Sequence, residues 1–226
     1  MIISIRGTHG SGKSTIMKAL ITQYATERFY GRAGKHRPEA YALAIPGVTS
    51  VVYVLGPYET ACGGCDCIQP YALILDLLAE YSSRGHVLLE GALVSSSYGT
   101  VGHFMEKFGP RGIMAFLTTP LEECIKRIVQ RRLDRGDLRP LNTKNTEGKN
   151  RSMLNTRKQI AKFGIIRAVD LDWQEPIAPL MALLKEGNDE RFDKVDPGAG
   201  GHPSAAADES TTAMDDRSGP EQISFL

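Results

Sequence analysis

The sequence predicts an α/β fold: five mostly parallel strands in one sheet, helices on both faces, an arginine-rich lid and a disordered C-terminal tail. Three observations carry that expectation. Short apolar runs alternate with longer helix-like segments over residues 1–186, the order that builds a parallel sheet covered on both sides. The first run, Ile2-Ile3-Ser4-Ile5, passes through a glycine-rich loop directly into Thr15-Ile16-Met17-Lys18-Ala19-Leu20-Ile21, a strand–loop–helix unit. A length of 226 residues and a hydrophobic content of 42% suit one domain with a sizeable core plus extra chain.

Taken in order, the strands fall near 1–6, 49–55 (Thr49-Ser50-Val51-Val52-Tyr53-Val54-Leu55), 86–90 (His86-Val87-Leu88-Leu89-Glu90), 112–118 and 165–171. The helices fall near 13–27, 69–83, 99–108, 120–135, 150–163 and 175–186. Pro120 followed by Leu121-Glu122-Glu123 has the form of a helix start, with proline in the first turn and acids near the positive end. Past Gly187 the composition turns to Gly, Pro, Ala, Ser and Asp, through Gly198-Ala199-Gly200-Gly201 and Ala205-Ala206-Ala207. With so little to bury, residues 187–226 are expected to form a disordered acidic tail.

Charge and cysteine usage narrow the class. The net charge of +1 hides an acidic tail, with nine acids and three bases from Asp189 to Leu226. Residues 126–167 hold thirteen Lys/Arg against three Asp/Glu, a block suited to a polyanion or to ATP alone. No apolar run approaches the roughly 20 residues that span a bilayer, and the chain opens on a strand rather than a signal peptide, so a cytoplasmic protein with reduced cysteines is expected.

Gly7-Thr8-His9-Gly10-Ser11-Gly12-Lys13-Ser14 fits G-x-x-x-x-G-K-[ST], the phosphate-binding loop of nucleoside triphosphatases and kinases. Its glycines let successive backbone N–H groups converge on phosphate oxygens, and the following helix adds its positive end. Gly7 to Thr15 are therefore expected to bind ATP, with Lys13 bridging the β- and γ-phosphates and the Ser14 hydroxyl holding Mg²⁺. Glu90 ends an apolar strand, where open α/β sheets face their ligand crevice; it is expected to hold Mg²⁺ through water or to orient an acceptor hydroxyl. Arg127, Arg131 and Arg135 recur every four residues, with Arg132 beside them. Arg127 is assigned to ATP, and Arg131 and Arg135 to charge compensation on the transferring group. The polar, glycine-bounded stretch 136–152 is the expected lid.

The segment Gly56-Pro57-Tyr58-Glu59-Thr60-Ala61-Cys62-Gly63-Gly64-Cys65-Asp66-Cys67 follows the second strand, and Asp66 is its best-placed general base for an acceptor hydroxyl. Cys62, Cys65 and Cys67 supply three potential zinc ligands, a fourth coming from His36 or His103; otherwise they are small packing groups. The glycines are expected to allow close approach of the acceptor. Tyr58 and Tyr71 flank the segment, either as stacking partners for a base or as ordinary core and surface residues.

On these motifs residues 1 to about 186 resemble the P-loop nucleoside and nucleotide kinases, and Thr119-Pro120-Leu121-Glu122 leading into arginines is similar to thymidylate-kinase-like proteins. The chain lacks their Asp-Arg-Tyr/Phe after the third strand and the Asp-Gly-Phe-Pro of adenylate kinases. Gly63-Gly64-Cys65-Asp66 before a helix, then Gly85 to Gly91, more closely resembles the bacteriophage 5-hydroxymethyl-deoxyuridine (5-hmdU) DNA kinases. That resemblance implies ATP-dependent phosphorylation of 5-hydroxymethyluracil within DNA, a step toward hypermodified thymidine that shields viral DNA. The alternative is a small-molecule nucleoside or nucleotide kinase. A nucleotide-switch module is disfavoured because no N-K-x-D guanine motif is evident. Gln222-Ile223-Ser224-Phe225-Leu226 resembles the glutamine-plus-apolar peptides by which bacterial DNA enzymes dock on the sliding clamp.

Overall fold

The computed structural model describes residues 1–31, 34–60, 63–91 and 98–188. The expected tail, the clamp-like peptide and Cys62 lie outside the described residues. Seven strands, not five, form one sheet in the order β2-β3-β4-β5-β1-β6-β7. Five of them are the expected strands: β1 (Ile2–Arg6), β4 (Val52–Leu55), β5 (His86–Glu90), β6 (Gly112–Leu117) and β7 (Arg167–Leu171), all mutually parallel. The two additional strands, β2 (Ala25–Gly31) and β3 (Gly34–Leu43), pair antiparallel with each other, and β3 pairs antiparallel with β4.

That hairpin corrects the expected helix 13–27. Helix α1 (Lys13–Tyr24) stops where Ala25 turns extended, at φ −66° and ψ 128°. The hairpin escapes a hydrophobicity pattern because β2 is an edge strand, exposed along nearly its whole length; its sequence, Ala-Thr-Glu-Arg-Phe-Tyr-Gly, carries few apolar side chains. Pro38 within β3 excludes an α-helix there.

The other helices are α2 (Ala72–Arg84), α3 (Gly99–Glu106), α4 (Leu121–Leu133), α5 (Lys144–Phe163) and α6 (Ile177–Glu186). Helix α5 corrects the start of the expected helix 150–163, which begins at Lys144, so residues 144–149 are helix rather than loop. Gly148 and several asparagines make that stretch a poor helix former by propensity. It is held instead by buried Met153, Thr156 and Ile160 and by a Thr143 hydroxyl to Glu147 carboxylate bond of 2.6 Å at its start.

The sheet divides the core in two. Ile3 and Ile5 of β1 pack with Ile16, Met17 and Leu20 of α1 and with Leu180, Leu183 and Leu184 of α6. Ile2 faces the other layer, with α2, α3 and α5 supplying Leu77, Leu78, Met105, Met153 and Ile160. Because β1, β4, β5, β6 and β7 are parallel, their C-terminal ends lie at one edge, where ligands bind open α/β sheets. Among the described residues, no helix is long and apolar enough to cross a membrane.

Candidate functional site

The loop after β1 reaches the N-terminus of α1 through two glycines in the left-handed region, Gly10 at φ 78° and Gly12 at φ 106°. A side chain at Gly10 would strike the Cys124 carbonyl, so α4 lies directly on the loop. The Thr119 hydroxyl fixes the same loop by donating to the Ser11 carbonyl at 2.9 Å. The Thr8 hydroxyl donates to the Thr146 carbonyl in the first turn of α5 at 3.1 Å, which ties the loop to the start of that helix.

Lys13 is buried and donates to the carbonyls of Gly7 at 2.8 Å and Thr8 at 3.1 Å. Burial lowers its pKa, a tendency opposed by Glu90 first and then by Asp66. Ser14 donates to Glu90 Oε1 at 2.8 Å. Glu90 is only 2% exposed. Burial raises its pKa; Lys13 and the Ser14 hydroxyl pull it down, while the negative charge of Asp66 pushes it further up. An ammonium, a hydroxyl and two carboxylates therefore converge at one strand edge.

A cleft of about 590 Å³ lies over this group. It brings together His9, Gly10, Ser11, Gly12, Lys13, Ser14 and Thr15 of the loop with Asp66, Glu90, Arg127 and Arg131. Gly7 and Thr8 sit beneath it, buried and bonded to Lys13. Arg135 is not part of the cleft; it borders a separate, open depression with residues 136–139. Arg132 is likewise committed elsewhere, to Asp137 at 3.0 Å.

Of the glycines in the 56–67 segment, Gly63 lines the cleft, while Gly56 and Gly64 serve chain-on-chain packing. A Cβ on Gly64, where φ is 83°, would lie 2.5 Å from Glu90 Oε1, and one on Gly91 would lie 2.8 Å from Asp66 Oδ1. Gly56 in turn lies against the Gly64 backbone. Only at these close distances can the segment set Asp66 beside the end of β5, on a short 3₁₀ turn at Cys65–Cys67. Cys65 is buried, with its thiol pKa raised by burial, and Cys67 is half-buried. Among the described residues, no group of three His, Cys, Asp or Glu side chains is placed to hold a metal ion. Tyr58 is buried, its hydroxyl directed to the Leu55 carbonyl at 3.4 Å, and Tyr71 is half-buried against the core.

The opposite wall contains residues that motif reasoning missed. Trp173, Gln174 and Pro176 from the loop after β7, and Ile177 at the start of α6, line the cleft. The Arg127 guanidinium lies 4.9 Å from the Trp173 ring centre and is oriented by Glu123 at 2.9 Å. The available signal was a lone tryptophan just past a parallel strand, a position that faces the crevice.

No family model matches the chain. It is 37% identical over 167 residues to the 5-hmdU DNA kinase of Pseudomonas phage PaMx11, covering 73% of this chain and 87% of that relative. The chain belongs to the 5-hmdU DNA kinase family. It is also 28% identical over 192 residues to the 5-hmdU DNA kinase of Pseudomonas phage M6, covering 81% of this chain and 97% of the relative. A third relative of that name, from Delftia phage PhiW-14, is 24% identical over 179 residues, covering 73% of this chain and 65% of the relative. In this member of the 5-hmdU DNA kinase family the cleft has two sides, the Arg127–Trp173 wall and the Asp66 wall, with Lys13, Ser14 and Glu90 between them. The oxygen donors of Ser14 and Glu90, 2.8 Å apart, are the hard ligands Mg²⁺ prefers.

Proposed function

We propose that the chain transfers the γ-phosphoryl group of ATP to the 5-hydroxymethyl group of 5-hydroxymethyluracil within DNA, making the 5-phosphomethyl base used in thymidine hypermodification and the protection of viral DNA. The observation that supports this most directly is the cleft in which Asp66 faces Lys13, Ser14 and Glu90, in a chain related to 5-hmdU DNA kinases.

In this reading the triphosphate lies along the Gly7–Ser14 amides, with Lys13 compensating charge on its β- and γ-oxygens. Ser14 and Glu90 hold Mg²⁺, which when bound neutralises phosphate charge. The adenine occupies the wall of Arg127 and Trp173, where a guanidinium and an indole offer flat faces. The acceptor alcohol enters from the Asp66 side. Its oxygen forms a bond to the γ-phosphorus, the bond to the bridging oxygen breaks with its electron pair leaving on ADP, and Asp66 accepts the alcohol proton. Arg131 compensates charge on the transferring group.

A 5-substituent projects into the major groove of duplex DNA, so the target can be reached there without full extrusion of the base. Exposed cations of the 126–167 block meet DNA phosphates, although Arg132, Arg139, Arg157 and Arg167 already pair with carboxylates. The peptide Gln222–Leu226 docks on a bacterial sliding clamp and raises local concentration on DNA.

The test is direct. Enzyme, γ-labelled ATP and DNA containing 5-hydroxymethyluracil are expected to give labelled polymer that releases a 5-phosphomethyl nucleoside on digestion. Label entering free nucleosides or nucleotides while the polymer stays unlabelled rejects the reading.

A further inference from the structure

The β2–β3 hairpin takes no part in the site described above, yet it stands at the same edge of the sheet. Strand β3 runs antiparallel to β4 with Ala40 opposite Leu55, and the Gly56 amide donates to the Glu39 carbonyl at 2.8 Å. Strand β4 ends at the edge that carries Glu90, since β4 and β5 are parallel. The next rungs of the hairpin, Tyr30–Pro38 and Gly31–Gly34, therefore project past that edge on the flank from which the Asp66 segment starts.

The projecting part is irregular in a directed way. Between those two rungs β2 advances one residue while β3 advances four, from Gly34 to Pro38. Such a bulge takes side chains out of the ladder and re-aims them. His36 and Arg37 lie in it and are exposed, as is Arg28 on the edge strand. Tyr30 on the outer rung is 52% exposed.

The base of the hairpin, in contrast, is firmly packed. Phe29 lies 6.0 Å from the Tyr53 ring and 5.8 Å from the Tyr81 ring, and the Arg84 guanidinium sits within 5.2 to 5.4 Å of all three. The Tyr81 hydroxyl donates to buried Glu39 at 3.1 Å. Arg28 sits 6.0 Å from the Tyr41 ring centre. The Tyr41 hydroxyl bonds Glu59 and accepts from the Tyr58 amide at 3.2 Å, so the hairpin and the acceptor segment form one connected support. An isolated two-stranded hairpin is marginal in water; here the inner half is fastened and leaves Arg28 exposed on its edge, and the outer half presents Arg37 and the Tyr30 ring.

We propose that Arg28, Tyr30 and Arg37 form an arm that holds the backbone of the DNA flanking the target base. The proposal rests on the reading that the acceptor lies within DNA. Guanidinium groups suit phosphate oxygens, and an exposed tyrosine suits a sugar or an unpaired base. The arm positions the substrate and reads no sequence. Its reach follows from sheet spacing: β3 and β2 lie two and three strands from β5, whose end stands beside Asp66, about 10 to 14 Å at roughly 4.8 Å per strand. At about 3.4 Å of axis per nucleotide this reaches about three to four nucleotides from the target on one side.

The experiment compares wild type with an Arg28→Ala/Arg37→Ala double variant on two substrates: a 30-nucleotide DNA and a pentanucleotide, each with one central 5-hydroxymethyluracil. The expected result is a KM for the long DNA raised about tenfold, with kcat within twofold, and a salt dependence of binding shallower by one to two in logarithmic slope. On the pentanucleotide the two enzymes are expected to match. Arg37→Glu alone, a change at an exposed residue, is expected to lose more affinity for the long DNA than Arg37→Ala, which covers the case of a poorly folded double variant. Unchanged KM and salt slope on the long DNA overturn the arm while leaving the DNA-kinase reading intact. Equal losses on both substrates overturn it too, because the effect then lies in the cleft. Failure of wild type to label either DNA, with free nucleosides labelled instead, overturns the underlying reading.

Discussion

Glu90 is pulled in opposite directions by its surroundings. Burial and Asp66 favour its proton, whereas Lys13 and the Ser14 hydroxyl favour the carboxylate, and the net effect is a raised pKa. The folded state thus holds that proton more tightly than the unfolded chain does. Stability from this group is present below the unfolded carboxylate pKa and is lost as pH rises through the folded value. Comparing wild type with Glu90→Gln, which does not titrate, isolates that slope. Urea unfolding from pH 4 to 7 is expected to show wild type losing stability relative to the variant as pH rises, and the opposite slope disproves the shift. Activity runs the other way, because Mg²⁺ binding needs the carboxylate; the acid limb of kcat/KM is expected above the ordinary carboxylate range. Asp66→Asn keeps shape but removes a proton acceptor, so kcat is expected to drop about 100-fold or more with ATP affinity held within about threefold. A large loss of ATP binding at unchanged turnover would place Asp66 on the nucleotide instead.

At the scale of elements, the 56–67 segment shows how backbone freedom becomes chemistry. Gly64 combines φ 83° with ψ −163°, a conformation nearly confined to glycine, while its absent side chain leaves room for the Glu90 carboxyl. Gly64→Ala is expected to lower unfolding stability by about 2 to 3 kcal/mol and to depress kcat more than it weakens ATP binding. Denaturant melts paired with kinetics check both parts. The sequence showed the glycines and Asp66, and Gly63 does line the cleft, but nothing local to the segment showed that Gly64 packs on the end of β5. Helix α5 was half legible for a related reason. Its second half has apolar spacing, whereas residues 144–149 form helix only because the chain beyond them packs on the sheet and Thr8 meets Thr146.

For the whole molecule, the tail poses the clearest test. Deleting Gln222–Leu226 is expected to abolish binding to a purified bacterial sliding clamp while leaving phosphorylation of short DNA within twofold; unchanged clamp affinity removes that partner. The phosphate cradle, the five parallel strands and the arginine-bearing helix were all legible in the sequence, because each is written in neighbouring residues whose spacing has one physical use. The edge hairpin was not, since its exposed outer strand β2 carries no apolar alternation and so gives no signal for the pair. The spacing puts Arg131 and Arg135 on one helical stripe, but α4 ends at Leu133, so Arg135 falls beyond the helix and only Arg131 reaches the cleft. What the sequence determined alone was a glycine-rich loop between strand and helix, of the pattern suited to a triphosphate, and the succession of strands and helices that follows it. What tertiary structure decided was which strand ends meet: Ser14 and Glu90 are 76 residues apart yet bonded, and Trp173 faces Arg127 from the far end of the sheet. Such meetings depend on β1 lying between β5 and β6, a pairing set by burial of both sheet faces at once rather than by any local run of residues.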